Sequence, residues 1–267
     1  MKLLISISIL LSTLTSCSHF TDPFSFKTSS RIYELKQALR ANPEKVKALT
    51  LRNYTDSVFP NENILKFRNL ESIYIFGSEK MNSPFIKLQI DTNSLKKLTE
   101  LNHLSFAYID FKEFPKELLI FNNLKVLELG LTNINELPSD LNKLEKLELL
   151  SLRLNNLKSL PNSIVLINNL KVLDLGNNLF EKLPEILIQP NNLKYISFAN
   201  PEGSFNTEKI VVPNNKINYL EEQNTLEKIV NQKYLERVAI EVTNCDTKNH
   251  LKNLFGKKLG IVCRDCD

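Results

Sequence analysis

The sequence predicts an α/β solenoid, in which copies of one short unit stack along the chain. Each copy opens with a leucine, and five of these leucines are spaced 23 residues apart: Leu101, Leu124, Leu147, Leu170 and Leu193. Three copies also contain a Leu-Pro pair at the same offset: Leu137-Pro138, Leu160-Pro161 and Leu183-Pro184. A fixed period between about 20 and 50 residues is typical of repeat architectures.

The two halves of a copy predict different structures. In the first half, apolar residues at positions 4 and 6 lie on the same side of a short strand, because side chains alternate with a period of two. In the second half, proline lacks a backbone donor and fixes φ, so the chain turns away as a loop or short helix. No copy buries its leucines alone, and neighbouring copies supply the missing surface.

The full pattern, L-x-x-L-x-L-x-x-N-x-L-x-x-L-P-x-x-I, resembles that of leucine-rich repeat proteins and covers most of the chain. The resemblance implies a right-handed superhelix with a parallel sheet on its concave face, and a role in binding other proteins. At position 9 the family carries an asparagine that bonds backbone groups inside the coil. Only Asn155 and Asn178 match at this position. The row of these asparagine hydrogen bonds, which we call the ladder, is therefore expected to be regular only at these two residues.

Degenerate copies begin at Val46 and Leu70 and keep the apolar spacing, so repeats are predicted over residues 46–203. The step from Leu70 to Leu101 is 31 residues rather than 23, which predicts an insertion around residues 81–92. Insertions in solenoids usually form loops. After Gly203 the period is lost, and residues 204–267 are predicted to form irregular repeats and a C-terminal α/β cap.

The first residues resemble a bacterial lipoprotein signal. An apolar run ends in Leu14-Thr15-Ser16-Cys17 and is too short to span a bilayer, which needs about 20 apolar residues. The resemblance implies that residues 1–16 are removed and that Cys17 becomes diacylated and acylated on its amine, for example by palmitate. A plain secretory signal is the alternative. Either way the chain is expected to be exported, and Ser18 favours the outer membrane or cell surface.

Residues 17–29 are predicted to be a lipidated tether, followed by an N-terminal helical cap over residues 30–45. Within it, the pattern predicts a helix from Ser30 to Ala41, with Ser30 as the N-cap and Asn42-Pro43 as the stop. The apolar face of this helix is expected to cover the edge of the first repeat, because solenoid ends need caps.

Three cysteines, Cys245, Cys263 and Cys266, lie in the last part of the chain. In an exported protein a disulfide from Cys245 to Cys263 or Cys266 is the favoured interpretation. A zinc site formed by the three thiols and His250 has the right ligand types and remains an alternative. Redox activity of the C-x-x-C pair has little support so close to the end of the chain.

Side chains at repeat positions 3, 5 and 7 point away from the core and are expected to cover the concave face. Several of these, and one neighbour at position 8, depart from the usual repeat pattern with aromatic or charged side chains. Such side chains often dominate binding energy. The predicted partner-binding residues are Tyr74, Phe76, His103, Tyr108, Glu128, Arg153 and Tyr195.

Other functional classes lack candidate residues. The three histidines lie far apart in any solenoid, and no glycine-rich phosphate loop occurs. The net charge of +4 is not gathered into a basic stripe, so nucleic-acid binding is not predicted. We therefore expect a non-enzymatic binding protein without a cofactor. A structural or self-associating module of the cell envelope is the alternative.

Overall fold

A computed structural model describes residues 30–77, 86–199 and 215–263. Within these residues, ten parallel strands form one continuous sheet in the order β1-β2-β4-β6-β7-β8-β9-β10-β11-β12, and β3 and β5 pair separately. The strands are β1 (Ile32–Glu34), β2 (Ala48–Leu51), β3 (Val58–Phe59), β4 (Ser72–Phe76), β5 (Gln89–Ile90), β6 (His103–Ala107), β7 (Val126–Gly130), β8 (Leu149–Ser151), β9 (Val172–Asp174), β10 (Tyr195–Ser197), β11 (Arg237–Val242) and β12 (Leu259–Cys263).

The sheet register follows the sequence period. Leu127 pairs with Leu150, Leu150 pairs with Leu173, and Leu173 pairs with Ile196, so each neighbour lies 23 residues further along the chain. Equivalent residues of successive copies therefore stack directly on one another. We call each turn of the chain a coil. The predicted α/β solenoid is confirmed.

Short 3-10 helices form the layer opposite the sheet. Those over Lys116–Ile120, Asn162–Leu166 and Glu185–Ile188 follow directly after a proline that is their N-cap, and a fourth covers Leu141–Lys143. Proline ends the extended segment, as predicted, because it cannot donate to a further ladder. Each coil is thus one strand, a turn and a short helix.

A leucine-rich core runs between the two layers. In the coil that starts at Leu147, the side chains of Leu147, Leu150, Leu152 and Leu157 are completely buried. Each such burial contributes about 1.5–3 kcal/mol relative to an exposed side chain. Because the same positions are buried in neighbouring coils, the core is one continuous cluster along the described part of the chain.

Buried asparagines join consecutive coils. The Asn155 Oδ1 atom accepts hydrogen bonds from the backbone N–H groups of Thr132 and Ile134, at 3.2 and 3.0 Å. The Asn178 Nδ2 atom donates to carbonyl oxygens of its own and the preceding coil. Asn215 repeats the arrangement: it accepts from Phe180 N and donates to the carbonyls of Leu175 and Phe198.

The ladder is therefore longer than the sequence predicted. Asn215 lies beyond the last 23-residue step, which is why it was missed. The local spacing Asn215-x-Ile217 matches Asn155-x-Leu157 and would have identified it. At the other end, the buried Thr132 hydroxyl donates to Asn155 Oδ1 at 2.8 Å and takes part in the same network.

A second row of asparagines lies immediately before the first leucine of several coils. Each side chain donates from Nδ2 to a backbone carbonyl 24 or 25 residues earlier, in the preceding coil. Sequence reasoning missed this row, although an Asn-Leu pair marks each member. The four donors are Asn69, Asn123, Asn169 and Asn192.

The predicted helix from Ser30 to Ala41 is wrong at both ends, over residues 30–34 and residues 39–41. Ile32–Glu34 form β1, which pairs in parallel with β2, and helix α1 covers only Leu35–Ala38 with Glu34 as N-cap. Unpaired backbone groups at the edge of β2 favour an added strand, and Ile32 and Tyr33 have high strand propensity. The first repeat is therefore covered by a strand as well as a short helix.

Part of the predicted insertion is ordered secondary structure. Within residues 86–92, Ile86 forms a parallel bridge with Ile109, and β5 pairs with β3. Helix α2 (Thr92–Leu95) follows, and the Asp91 side chain accepts a hydrogen bond from Asn93 N. The remaining residues of the insertion, 81–85, lie outside the described ranges.

The C-terminal region adds helix α3 (Gln223–Val230), β11, helix α4 (Cys245–Phe255) and β12. Both strands continue the main sheet in parallel. The buried side of α3 consists of Leu226, Ile229 and Val230, whereas Tyr234, beyond the end of the helix, is exposed. No helix in the described ranges is long and apolar enough to cross a membrane.

Candidate functional site

The outward side of the main sheet carries the side chains at repeat positions 3, 5 and 7, and we call it the sheet face. Its apolar residues form two clusters separate from the core. One contains Val126, Leu149 and Val172, with the partly buried Tyr195 packed against them. The other contains Tyr74, Phe76 and Ala107, with Ile32 and Tyr108 at its margin. The predicted binding residues therefore share one face.

Three polar residues are linked across neighbouring strands of the sheet face. The Tyr74 hydroxyl lies 3.3 Å from His103 Nδ1, and His103 Nε2 lies 3.2 Å from Glu128 Oε2. The Tyr74 and His103 rings meet edge to face, with centroids 4.8 Å apart. The three side chains come from β4, β6 and β7, and all are buried.

This arrangement satisfies the hydrogen-bonding groups of His103. Each ring nitrogen has its own partner, Nε2 the Glu128 carboxylate and Nδ1 the Tyr74 hydroxyl. Since both ring nitrogens are engaged, neither is available to act as a base toward a ligand. The group therefore fixes the shape of the sheet face, which is how buried and fully paired polar networks act.

Arg153 and Asp174 form a second polar contact on the sheet face. Their Nη1 and Oδ2 atoms are 4.0 Å apart, and both side chains are buried. Burial raises the pKa of Asp174 above its usual value, and the nearby Arg153 partly opposes that rise. Asp174 was not among the predicted binding residues, because aspartate at position 5 is common in such repeats.

Arg52 and Phe76 mark the first coils of the sheet face. The Arg52 guanidinium lies 5.5 Å from the centre of the Phe76 ring, a distance typical of a cation–π contact. Arg52 is only partly buried and was not among the predicted residues. Arg52 occupies position 7 of its coil, one coil before Phe76. A comparison of the residues at position 7 of successive repeats could therefore have identified it from the sequence.

Tyr108 lies just after β6 and has a φ of 59°, which is uncommon for a tyrosine. Its carbonyl oxygen lies only 2.0 Å from the place where a Cβ on Gly77 would be. Only glycine allows the two backbones to approach so closely. This contact between adjacent coils holds the partly exposed Tyr108 ring at the margin of the sheet face.

Tyr195 lies at the beginning of β10 and is partly exposed. Its hydroxyl donates to the Glu236 carboxylate, which also accepts from Lys194 Nζ at 2.8 Å. The hydrogen bond to Glu236 raises the pKa of Tyr195. Hydrogen bonds from Lys194 and Tyr195 lower the pKa of Glu236. Tyr195 is thus held in a fixed orientation.

Most predicted binding residues are less accessible than the sequence analysis expected. Tyr74, Phe76, His103, Glu128 and Arg153 are each 7% exposed or less. Adjacent strands lie only about 4.8 Å apart, so large side chains in neighbouring coils cover one another. Tyr108 and Tyr195 are the predicted residues that keep intermediate exposure.

Two cysteines, Cys245 and Cys263, lie within the described residues. Cys263 ends β12 and is disulfide-bonded, whereas Cys245 is exposed at the first residue of α4. Cys266 lies outside the described residues, as does Cys17, so the pairing of the cysteines stays a prediction. Within the described ranges, no group of three or more histidine, cysteine, aspartate or glutamate residues is placed to hold a metal ion.

Solved structures share this architecture. A leucine-rich repeat protein of Leptospira interrogans is 23% identical and has a TM-score of 0.58, with 87% of this chain and 54% of that chain covered. InlP of Listeria monocytogenes is 17% identical and has a TM-score of 0.52, with 85% of this chain and 56% of that chain covered. The chain has the leucine-rich repeat fold.

A third structure, TLR13 in complex with ssRNA13, is 18% identical and has a TM-score of 0.53, with 87% of this chain and 31% of that chain covered. This leucine-rich repeat chain spans about half the length of the two bacterial structures. No family model matches the sequence, and no curated protein matches it. These similarities establish the fold, and the sheet face is its broadest continuous strand surface in the described ranges.

Proposed function

We propose that this chain is a non-enzymatic binding module that holds a protein partner on its sheet face. The observation that carries the proposal is the row of interlinked side chains across β4, β6 and β7, in which Tyr74, His103 and Glu128 fix one another. A surface whose side chains are already immobilised loses less conformational entropy when it binds. A surface polymer is the second class of partner for the same face.

The partner would contact the partly exposed residues directly. Tyr108 and Tyr195 offer large aromatic surfaces at low entropic cost, and Arg52 offers a guanidinium at the first coils. The buried residues would act through them, because Glu128 on β7 and Asp174 on β9 belong to strands that lie between those of the two tyrosines. This division refines the set of contact residues that the sequence predicted.

The test compares the proteins that the full chain captures from envelope extracts. A double variant, Tyr108→Asn with Tyr195→Ala, removes both aromatic contacts, and asparagine tolerates the positive φ at position 108. Tyr234→Ala removes an exposed tyrosine that lies outside the sheet face. Capture of a specific partner is expected to fall by about tenfold or more in the double variant alone. Equal capture by all three proteins would refute the placement.

We also propose that the chain is exported and anchored by lipid at Cys17, at the outer membrane or cell surface. The apolar run before Leu14-Thr15-Ser16-Cys17 supports this proposal. Cells fed labelled palmitate are expected to label the wild-type chain and not Cys17→Ala, and the variant is expected to leave the membrane fraction. Equal labelling of both chains would contradict the lipid anchor, and protease shaving of whole cells would distinguish surface from periplasmic display.

A self-associating envelope module is the second candidate function. Among the described strands, β1 and β12 each pair along one edge only, and open strand edges are templates for pairing with another chain. Sedimentation velocity of the unlipidated Cys17→Ala chain separates the two functions. A monomer at micromolar concentration would favour capture of a partner, whereas a concentration-dependent oligomer that survives the double tyrosine substitution would favour self-association.

A further inference from the structure

Helices α3 and α4 continue the helical layer opposite the sheet. Helix α3 contacts the 3-10 helix Glu185–Ile188 of an earlier coil. His250 Nε2, in the middle of α4, lies 3.4 Å from Gln223 Oε1 at the start of α3. Lys258 Nζ, just beyond α4, donates to the carbonyl of Val230 at the end of α3, at 3.0 Å. The two helices therefore run side by side in the same direction.

Lysines dominate the charge near the C-terminal ends of these two helices. Between Thr247 and Cys263 the chain contains four lysines and no acidic residue. Five lysines on or just after the helices are exposed, two from α3 and three from α4, so the cluster forms only when the helices pack together. With the exposed Leu254 they form what we call the cap surface: Lys228, Lys233, Lys252, Lys257 and Lys258.

Acidic residues offset little of this charge. Glu227 is the exposed acidic residue of α3. The exposed Glu236 carboxylate already accepts hydrogen bonds from Lys194 and Tyr195. Asp246 lies in the first turn of α4, at the opposite end of that helix from the cap surface. The cap surface therefore carries a net positive charge, which attracts an anionic partner.

Leu254 indicates which kind of anionic partner fits. Its side chain is 49% exposed and lies among the lysines of the last turn of α4, whereas the neighbouring Phe255 packs partly against the core. Surfaces that lie on lipid combine lysines, which attract anionic headgroups, with apolar side chains that enter the interface. Nucleic acid would use the lysines but not the leucine. A lipid surface accounts for both.

We propose that the cap surface binds a membrane that contains anionic phospholipids. The lysines contact lipid phosphates, and Leu254 enters the boundary between headgroups and acyl chains. Each lysine near an anionic surface strengthens binding by about fivefold. Because the helices lie in the layer opposite the sheet, this orientation leaves the sheet face open. The proposal rests neither on partner binding by that face nor on acylation of Cys17.

Lysine labelling of the full-length Cys17→Ala chain tests the site without an acyl chain. The chain is mixed with vesicles of phosphatidylcholine, alone or with about one-third phosphatidylglycerol, and acetylated lysines are quantified by mass spectrometry. Labelling of Lys252 and Lys257 is expected to fall by about fivefold or more on the anionic vesicles. Labelling of Lys66, exposed in the first coils, is expected to stay unchanged. Equal labelling with both vesicles, or equal protection of Lys66, would overturn the proposal.

Charge reversal tests the electrostatic part of the proposal. Lys252→Glu with Lys257→Glu is expected to bind the anionic vesicles about tenfold or more weakly in a co-sedimentation assay. Lys45→Glu with Lys66→Glu makes the same change in net charge with exposed lysines of the first coils, and is expected to bind as the parent chain does. Lys258 is retained because it bonds the end of α3. Equal affinities of the two double variants would overturn the assignment to the cap surface.

A leucine substitution tests the lipid part. Leu254→Ser is expected to weaken vesicle binding by about threefold or more, because an apolar side chain no longer enters the interface. Leu39→Ser is the matched control, since Leu39 is 44% exposed at the other end of the solenoid. Loss of affinity in the lysine variant with none in Leu254→Ser would indicate a soluble polyanion and overturn the lipid assignment. Neither result would alter partner capture by the sheet face or palmitate labelling of Cys17.

Discussion

His103 Nε2 and Glu128 Oε2 lie 3.2 Å apart on neighbouring strands, although the two residues are 25 positions apart in the sequence. The contact exists because His103 occupies position 3 of its coil and Glu128 occupies position 5 of the next. The strand register places Ser105 directly opposite Glu128, so the histidine reaches its partner diagonally.

Substitution of Glu128 by alanine is expected to destabilise the fold. The buried His103 ring would lose its acceptor, which costs about 1–3 kcal/mol. Urea denaturation followed by circular dichroism measures the change. Glu148→Ala is the control, because Glu148 makes only a partly exposed ion pair with Lys171 and is expected to cost at most about 1 kcal/mol. Equal losses of stability in the two variants would show that the Glu128 contact stabilises the fold no more than the ion pair of Glu148 does.

Removal of the newly identified ladder residue is also expected to destabilise the chain. Asn215→Ala leaves Phe180 N and the carbonyls of Leu175 and Phe198 without their side-chain partner, at a cost of about 2 kcal/mol. The exposed Asn122 provides a matched asparagine, whose replacement by alanine is expected to change stability by less than about 0.5 kcal/mol. Thermal or urea unfolding distinguishes the two, and a neutral Asn215→Ala would contradict its place in the ladder.

Core and surface leucines are expected to differ sharply. Leu150→Ala opens a cavity in the continuous core and is expected to cost about 2–5 kcal/mol. Leu166 is 59% exposed, and its replacement by alanine is expected to change stability by less than about 0.5 kcal/mol. Both variants are compared by their free energy of unfolding in urea. Similar values would be inconsistent with the stacked core.

The contact of Glu236 with Lys194 and Tyr195 predicts a dependence on pH. Its folded-state pKa is lowered below the usual 4.5, so its contribution is present above the unfolded-state pKa and is lost as pH falls through the folded-state pKa. Since Glu236 is largely exposed, the contribution is below about 1 kcal/mol. Glu236→Gln is expected to be less stable than wild type at neutral pH, and this difference is expected to shrink at acid pH, below the usual pKa of the carboxyl. An equal difference at both pH values would contradict this origin.

The repeat architecture was predictable from the sequence because the leucines that form it recur at a fixed period. Leu127, Leu150 and Leu173 stack in register, and the same 23-residue step is visible in the sequence alone. The helix predicted from Ser30 failed for the opposite reason. Its apolar spacing is local, whereas the pairing of Ile32 with Ala48 depends on an edge that exists only after the first coil has folded.

The composition of the sheet face was likewise predictable, but its accessibility was not. Alternation along a strand places Tyr74 and Glu128 on the outward side. It does not indicate that Tyr74 meets His103 or that Arg153 meets Asp174, because these contacts join side chains of different lengths across separate coils.

The asparagine side chains have a mechanical consequence. Asn155 holds backbone groups of the coil before it as well as its own, and Asn178 and Asn215 do the same one and two coils later. A pulling force applied at the C-terminal end would therefore have to detach these coils one after another. Each detachment would rupture several hydrogen bonds at once, so the chain would yield in discrete steps rather than stretch smoothly.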